Sequence, residues 1–286
     1  MEDNEKMAKR FEGKRIFITG ASAGIGAAVA VGLAREGARI ALAARRKDRL
    51  EEIKAKVEAA GGQAVTVACD VCDRASVDAA VAEAVGAFGG IDVALANAGM
   101  GIAGLFENLD VEAFRRQFET NFFGVLNTVY AVLPHLVASK GTLGLVSSVA
   151  GRVGTPTTTA YCASKFAVYG LAEALYYELA ERGVAVTCIQ PGFVRSEIRH
   201  IDNQGAYHPD RKDPIPSFLV VPTEQAAREI IGYLYRRKFN AIITGHGKII
   251  VFLNRLFPGT VRLVQRLATK GKLNPHANAG KGFQEL

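Results

Sequence analysis

Arg15-Ile16-Phe17-Ile18-Thr19 runs without a break into Gly20-Ala21-Ser22-Ala23-Gly24-Ile25-Gly26. The first five residues form a short aliphatic run of strand length, and a helical pattern succeeds it over Ile25–Glu36. Glycines at 20, 24 and 26 let the backbone turn tightly and approach a ligand closely. The helix start beyond them offers unpaired N–H groups and the positive end of a dipole. A strand, a glycine turn and a helix start, in that order, predict a seat for a dinucleotide pyrophosphate rather than an ordinary turn.

Outward from this stretch the same unit repeats. Candidate strands are Arg15–Thr19, Arg39–Ala43, Ala64–Ala68, Ile91–Ala96, Thr142–Ser147, Val184–Ile189 and Ala241–Thr244. Most are apolar at successive positions, as in strands covered on both faces. Helical patterns lie between them, over Ile25–Glu36, Lys47–Ala60, Arg74–Phe88, Val111–Ser139, Ala160–Arg182 and Thr223–Arg237. Gly37, Gly61 and Gly183 stand where left-handed caps are wanted, and Asp110 and Thr223 where N-caps are. The pattern is α/β, a single doubly wound parallel sheet of about seven strands with helices on both faces, within one domain over 1–246. Residues 199–222, with Pro209, Pro214, Pro216 and Pro222, read as a long loop or small lid.

Composition agrees. The 286 residues are 49% hydrophobic and 22% charged, which excludes wholesale disorder. The net charge of +7 is concentrated. Residues 247–272 carry Lys248, Arg255, Arg262, Arg266, Lys270 and Lys272 with no acid, so the remainder is close to neutral and no nucleic-acid partner is expected. Four cysteines make no disulfide scaffold. The charged start MEDNEKMAKR lacks a signal peptide's apolar core, and no apolar run reaches 18 residues, so a cytoplasmic setting is the default expectation.

The end of the second strand reads Ile40-Ala41-Leu42-Ala43-Ala44-Arg45-Arg46, with no acid before Asp48. An NAD site usually puts a carboxylate there for the ribose 2′-hydroxyl. Arg45, with Arg46 beside it, presents a planar charged fork to a 2′-phosphate instead, so NADP is expected over NAD.

The spacing G-x-x-x-G-x-G, together with motifs further along the chain, resembles the classical short-chain dehydrogenase/reductase family over roughly residues 11–245. Thr19–Gly26 is similar to the family's cofactor loop. Asp70-Val71 resembles its adenine-contacting pair, and Asn97-Ala98-Gly99 the motif that ends the fourth strand. Asn121, Ser148, Tyr161 and Lys165 resemble the catalytic tetrad, and Pro191-Gly192 the turn after the sixth strand. The resemblance implies a Rossmann-type fold, a cofactor set of Gly20, Ser22, Gly24, Ile25, Gly26, Arg45, Asp70, Val71, Asn97, Tyr161, Lys165, Pro191, Gly192 and Ser196, and a homodimer or homotetramer. Ser196 stands where the family often has threonine. Ala23 departs from a second basic position that many NADP-dependent members carry.

Tyr161 and Lys165 are four apart and share a helix face. A phenol near pKa 10 is a poor acid–base group at neutral pH, and an adjacent ammonium, with a cationic nicotinamide in the oxidised state, is expected to lower it. Tyr161 then gives a proton to a carbonyl, or takes one from an alcohol. Ser148 ends a strand at the ligand-binding edge, where its hydroxyl can hold the substrate oxygen, whereas Ser147 alternates to the other side. By resemblance, Asn121 holds a water that links Lys165 to solvent, and Lys165 also bonds the nicotinamide ribose.

Other signals carry less. Cys69 and Cys72 have no second pair or histidine cluster, so no metal is expected. Cys162 and Cys188 read as buried small residues, His135 as a helix residue beside Pro134, and His200 and His208 as exposed loop residues. Arg115-Arg116 and Arg236-Arg237 read as solvated helix faces.

The appendage 247–286 contains Lys248–Leu253 and a second helical run over Thr260–Lys270, with Arg262, Arg266 and Lys270 at four-residue steps and Leu263, Val264 and Leu267 on another face. Such a segment can lie in a membrane interface through 247–272, cover the substrate cleft or pack on a second subunit. The expected activity is NADP(H)-dependent interconversion of a carbonyl and a secondary alcohol, on a small lipophilic molecule. An NAD-linked secondary-alcohol dehydrogenase and a non-catalytic cofactor-binding regulator are the alternatives.

Overall fold

The structure, a computed structural model, describes residues 9–270 except 205, 209, 211, 212 and 214. The N-terminal stretch 1–8, Pro209, Pro214, Lys272 and the rest of the tail lie outside the described residues. Seven strands form one sheet: β1 (Arg15–Thr19), β2 (Arg39–Ala44), β3 (Gln63–Ala68), β4 (Val93–Ala96), β5 (Thr142–Val146), β6 (Ala185–Pro191) and β7 (Asn240–Ile243). All pair in parallel, in the order β3-β2-β1-β4-β5-β6-β7. The helices are α1 (Gly24–Arg35), α2 (Lys47–Ala59), α3 (Arg74–Phe88), α4 (Val111–Phe118), α5 (Gly124–Ser139), α6 (Thr159–Ala180), α7 (Thr223–Tyr235), α8 (Gly245–Leu256) and α9 (Pro258–Thr269).

Alternate strand residues feed two cores. Ile16, Ile18, Ile40 and Leu42 pack against α1, α2 and α7 through Leu33, Leu50 and Ile230. Phe17, Ala41 and Ala43 face α3, α5 and α6 through Val77, Val132 and Val168. β1 and β2 are thus covered on both faces, and this is why their sequences show no period-two alternation. Strand order reverses between β1 and β4, which opens a crevice at their carboxyl ends.

Several boundaries reflect local chemistry. α3 opens at Asp73, whose carboxylate accepts from Ala75 N, and closes at Gly89 with φ +81°. Asp110 caps α4 by accepting from Ala113 N, as expected. Thr223 does not cap α7. Pro222 takes that place, and the Thr223 hydroxyl donates to Arg195 O instead. The helical stretch expected over Val111–Ser139 carries a π turn at Glu119–Phe123 between α4 and α5. Among the described residues it is the one helix long and apolar enough to cross a membrane. Its apolar side already has a partner, because Val125, Val129, Val132 and Leu136 belong to the core. The boundary expected at 246/247 falls inside α8, which starts at Gly245.

Candidate active site

At the crevice the ends of β1 and β4 are laced together. Thr19 Oγ1 accepts from Asn97 N (3.0 Å) and Ala98 N (3.2 Å), and Asn97 Nδ2 donates to Thr19 O (2.9 Å) and Gly20 O (3.2 Å). Gly20 and Gly24 have φ of +66° and +55°, the left-handed region where a side chain is strained. A Cβ at Gly26 would stand 2.6 Å from both Asn97 Nδ2 and Gly20 O. α1 then begins with no side-chain cap at Ala23 and no acid in its first turn, which leaves its N–H groups for an anion. Ile25, Asp70, Val71, Pro191, Gly192 and Ser196 line the same cleft, whose volume is about 610 Å³. A tight glycine turn, an uncapped helix start and a cleft of this size fit a dinucleotide.

Arg45 is exposed on the cleft rim. Arg46 reaches further in, donating to Ser22 Oγ (3.2 Å) and to Glu197 (3.2 Å). Glu197 also accepts from Arg49 (2.8 Å). It belongs to the segment after β6, which passes over the cleft as Glu197–His200 and is stitched to the opposite wall by Asn203. That side chain donates to Ala103 O (2.8 Å) and accepts from Ala103 N (3.1 Å).

Four elements bring the predicted site residues together. The π turn directs the fully buried Asn121 inward. Its Oδ1 accepts from Met100 N (2.8 Å), and its Nδ2 donates to Met100 O (3.0 Å) and Ser164 Oγ (3.1 Å). Ser164 in turn donates to Tyr161 O (2.8 Å), one turn back on α6. Ser148 accepts from Ala150 N (3.1 Å) and donates to Pro191 O (3.3 Å), and its hydroxyl stands by the Tyr161 phenol, where it favours the anion. Ser147 points away and donates to Lys165 O (2.8 Å). Lys165 Nζ donates to Val146 O (2.9 Å) and lies 5.7 Å from the Tyr161 ring centroid. Gly99 keeps space open at this point, since its missing Cβ would sit 3.2 Å from Asn121 Oδ1 and 3.6 Å from Lys165 Nζ.

The chain's own residues act on Tyr161 against the direction expected with a charged lysine and an oxidised nicotinamide beside it. Among the chain's own groups burial raises the Tyr161 phenol from its ordinary value, outweighing the lowering by the Ser148 hydroxyl and by Arg199. Burial also lowers Lys165, from 10.5 to about 8. Each group is pushed toward its neutral form.

Sequence reasoning misses further residues of the site. Gln117, buried one turn before Asn121, accepts from Ile102 N (2.6 Å) and donates to Met100 O (2.9 Å). Its position four before Asn121 is the one signal that points to it. Arg116 lines the cleft rather than standing on a plain solvated face, and Arg237 binds Gly141 O and Gly183 O. His200 is half-buried against Tyr207, while His208 is exposed and pairs with Asp202. Burial pushes the Cys69 and Cys188 thiols up to about 12, so they stay protonated. No metal-binding cluster occurs among the described residues.

Residues 14–206 match the family described as short chain dehydrogenase. The chain belongs to this family. As a short-chain dehydrogenase it is an oxidoreductase of alcohol and carbonyl groups, in a family that uses a nicotinamide cofactor. It is similar to a 2,5-dichloro-2,5-cyclohexadiene-1,4-diol dehydrogenase of Sphingobium indicum, at 36% identity over 67% of this chain and 77% of that protein. A glycine betaine reductase of Emericella nidulans is 41% identical over 65% of this chain, a match that spans 15% of that much longer protein. Among solved structures, an alcohol dehydrogenase from the archaeon Thermococcus sibiricus, complexed with 5-hydroxy-NADP, superposes with a TM-score of 0.71 at 27% identity. That match covers 80% of this chain and 96% of that one. A short-chain type dehydrogenase/reductase from Mycobacterium marinum gives the same score at 31% identity, over 82% and 95%.

Proposed function

We propose that this short-chain dehydrogenase interconverts a lipophilic carbonyl compound and the corresponding secondary alcohol, with NADP(H) as cofactor. The observation that carries the reading is the meeting of Tyr161, Ser148, Lys165 and Asn121 at the cleft that also holds the glycine turn. When bound, the nicotinamide gives or takes the hydride. Tyr161 Oη gives a proton to the substrate oxygen in reduction and takes it back in oxidation. Ser148 Oγ holds that oxygen and shares its developing charge. Lys165 holds positive charge beside the phenol and is available to the ribose. Asn121 is a positioning residue that fixes the Met100 loop against α6, and the resemblance gives it the water of a proton relay.

Arg45 and Arg46 at the end of β2, with no acid there, support NADP. The archaeal neighbour complexed with 5-hydroxy-NADP agrees. The NAD-linked reading draws on Glu197, whose carboxylate already engages Arg46. Met100, Val194, Ile198, Ile201 and Tyr207 on the cleft wall support an apolar substrate. The exposed aromatics Phe123, Tyr130, Phe166 and Tyr177 on the π turn, α5 and α6 support a second copy docking there. The test is a panel of ketones and secondary alcohols with each cofactor, monitored by nicotinamide absorbance. Turnover with NADPH, abolished in Tyr161→Phe, is the expected result. Cofactor binding without turnover across the panel would return the chain to a regulatory role, and a preference for NADH would make it NAD-linked.

A further inference from the structure

The last two helices carry a surface that the oxidoreductase site does not use. α8 is anchored to the body on one side. Thr244 accepts from Gly247 N (3.2 Å), Val251 is buried, Asn254 Nδ2 donates to Arg152 O (3.2 Å) and Lys248 pairs with Glu229 (3.2 Å). On its other side Ile249, Phe252, Leu253 and Leu256 fall at i, i+3, i+4 and i+7, a single apolar stripe turned to solvent. Phe257 and Pro258 break the helix, and α9 adds Leu263, Val264 and Leu267 with no buried residue of its own. These eight side chains are each 41–61% exposed. Together they expose on the order of 800 Å² of large apolar residues, more than the largest patch of an ordinary monomer.

The charge around this face selects its occupant. Arg255, Arg262, Arg266 and Lys270 are all exposed, and no acid occurs from 245 to 270. A second copy docked face to face about a twofold axis would set these cations against each other with no carboxylate between them. An anionic bilayer surface meets both features at once, taking the apolar stripe among its acyl chains and the cations among its headgroups. We propose that α8 and α9 are an interfacial membrane-docking element, selective for anionic lipid. The same element adjoins the substrate side. His246 Nε2 accepts from Phe193 N (3.1 Å) and its ring stacks on Phe193, where the segment over the cleft leaves the sheet. The docked face therefore sets the cleft mouth near the bilayer, a route for an apolar substrate. The docking itself stands apart from the cofactor and substrate readings.

The experiment is co-sedimentation of the full chain with vesicles of phosphatidylcholine alone or mixed with phosphatidylserine, at physiological and high salt. Light scattering gives the mass of the free protein. Partitioning at least tenfold stronger onto the phosphatidylserine vesicles, weakened by salt, is expected. Phe252→Glu with Leu256→Glu should abolish it, and Arg262→Glu with Arg266→Glu should remove the preference for anionic lipid. Both variants should keep the wild-type mass and cofactor affinity. Equal pelleting on both vesicle types, or none on either, would overturn the proposal. A fall in mass for the Phe252/Leu256 variant without lipid binding in the wild type would overturn it too, and would make the face a subunit interface.

Discussion

Replacing Lys165 with methionine should make the unliganded protein more stable at neutral pH while removing its function. Lys165 is buried, and its pKa falls from 10.5 in the unfolded chain to about 8 in the folded one. Below pH 8 it is charged in both states, and folding then carries a penalty of about 3 kcal/mol. The penalty is relieved as pH rises from 8 to 10.5, where the unfolded chain binds more protons than the folded one. Methionine has no such charge, but it leaves Val146 O without its 2.9 Å donor, a loss of about 1–2 kcal/mol. The variant should therefore lead by about 1–2 kcal/mol at pH 7 and trail by a similar margin near pH 10.5. Urea midpoints of both proteins across pH 7–10.5 measure this. A stability difference that does not change with pH would refute the reasoning, because it would mean that Lys165 carries no buried charge.

The same geometry has other consequences. Carbonyl reduction at limiting reduced cofactor should fall as pH rises through about 8, as Lys165 loses its proton. A profile flat to pH 10 would separate that ionisation from turnover. Gly26→Ala forces a Cβ to 2.6 Å from Gly20 O, so a calorimetric titration should show cofactor affinity reduced at least tenfold. Gly86→Ala in α3 meets nothing within 4 Å, and its melting temperature should hold or rise. Glu197→Gln frees Arg46 and Arg49, and the ratio of NADP to NAD affinity should rise severalfold. An equal change for both cofactors would show that Arg46 does not meet the 2′-phosphate.

What is legible in the chain, and what is not, divides along the range of the forces involved. The glycine turn and α3 are legible because their determinants are local. Asp73 and Gly89 bracket α3 at its own two ends, and the doubly covered strands announce themselves by unbroken apolar runs. The π turn at Glu119–Phe123 is not legible, since one extra residue in a helical turn leaves no mark on a 3.6-residue pattern. Yet that turn is what brings Asn121 and Gln117 to bear on the Met100 loop. Glu197 is equally hidden. Its partners Arg46 and Arg49 lie 151 and 148 residues away, and only the closing of the β6 segment over the cleft joins them.

The lowering of the phenol expected from a charged lysine and an oxidised nicotinamide together is not produced by the chain's own residues, for a related reason. Spacing on a helix gives adjacency, but the sign of a pKa shift depends on burial as well as on charge. Tyr161 and Lys165 share a dry site, and the desolvation that raises one lowers the other. The result favours a protonated phenol beside an amine that titrates near physiological pH. On the proposed function, that pair suits donation of a proton to a developing alkoxide. For the reverse direction the phenol must give up its proton at a site that disfavours the anion. Carbonyl reduction leaves the same phenolate behind, so Lys165 has to be charged to offset that cost in either direction, and neutralising it should slow oxidation and reduction alike.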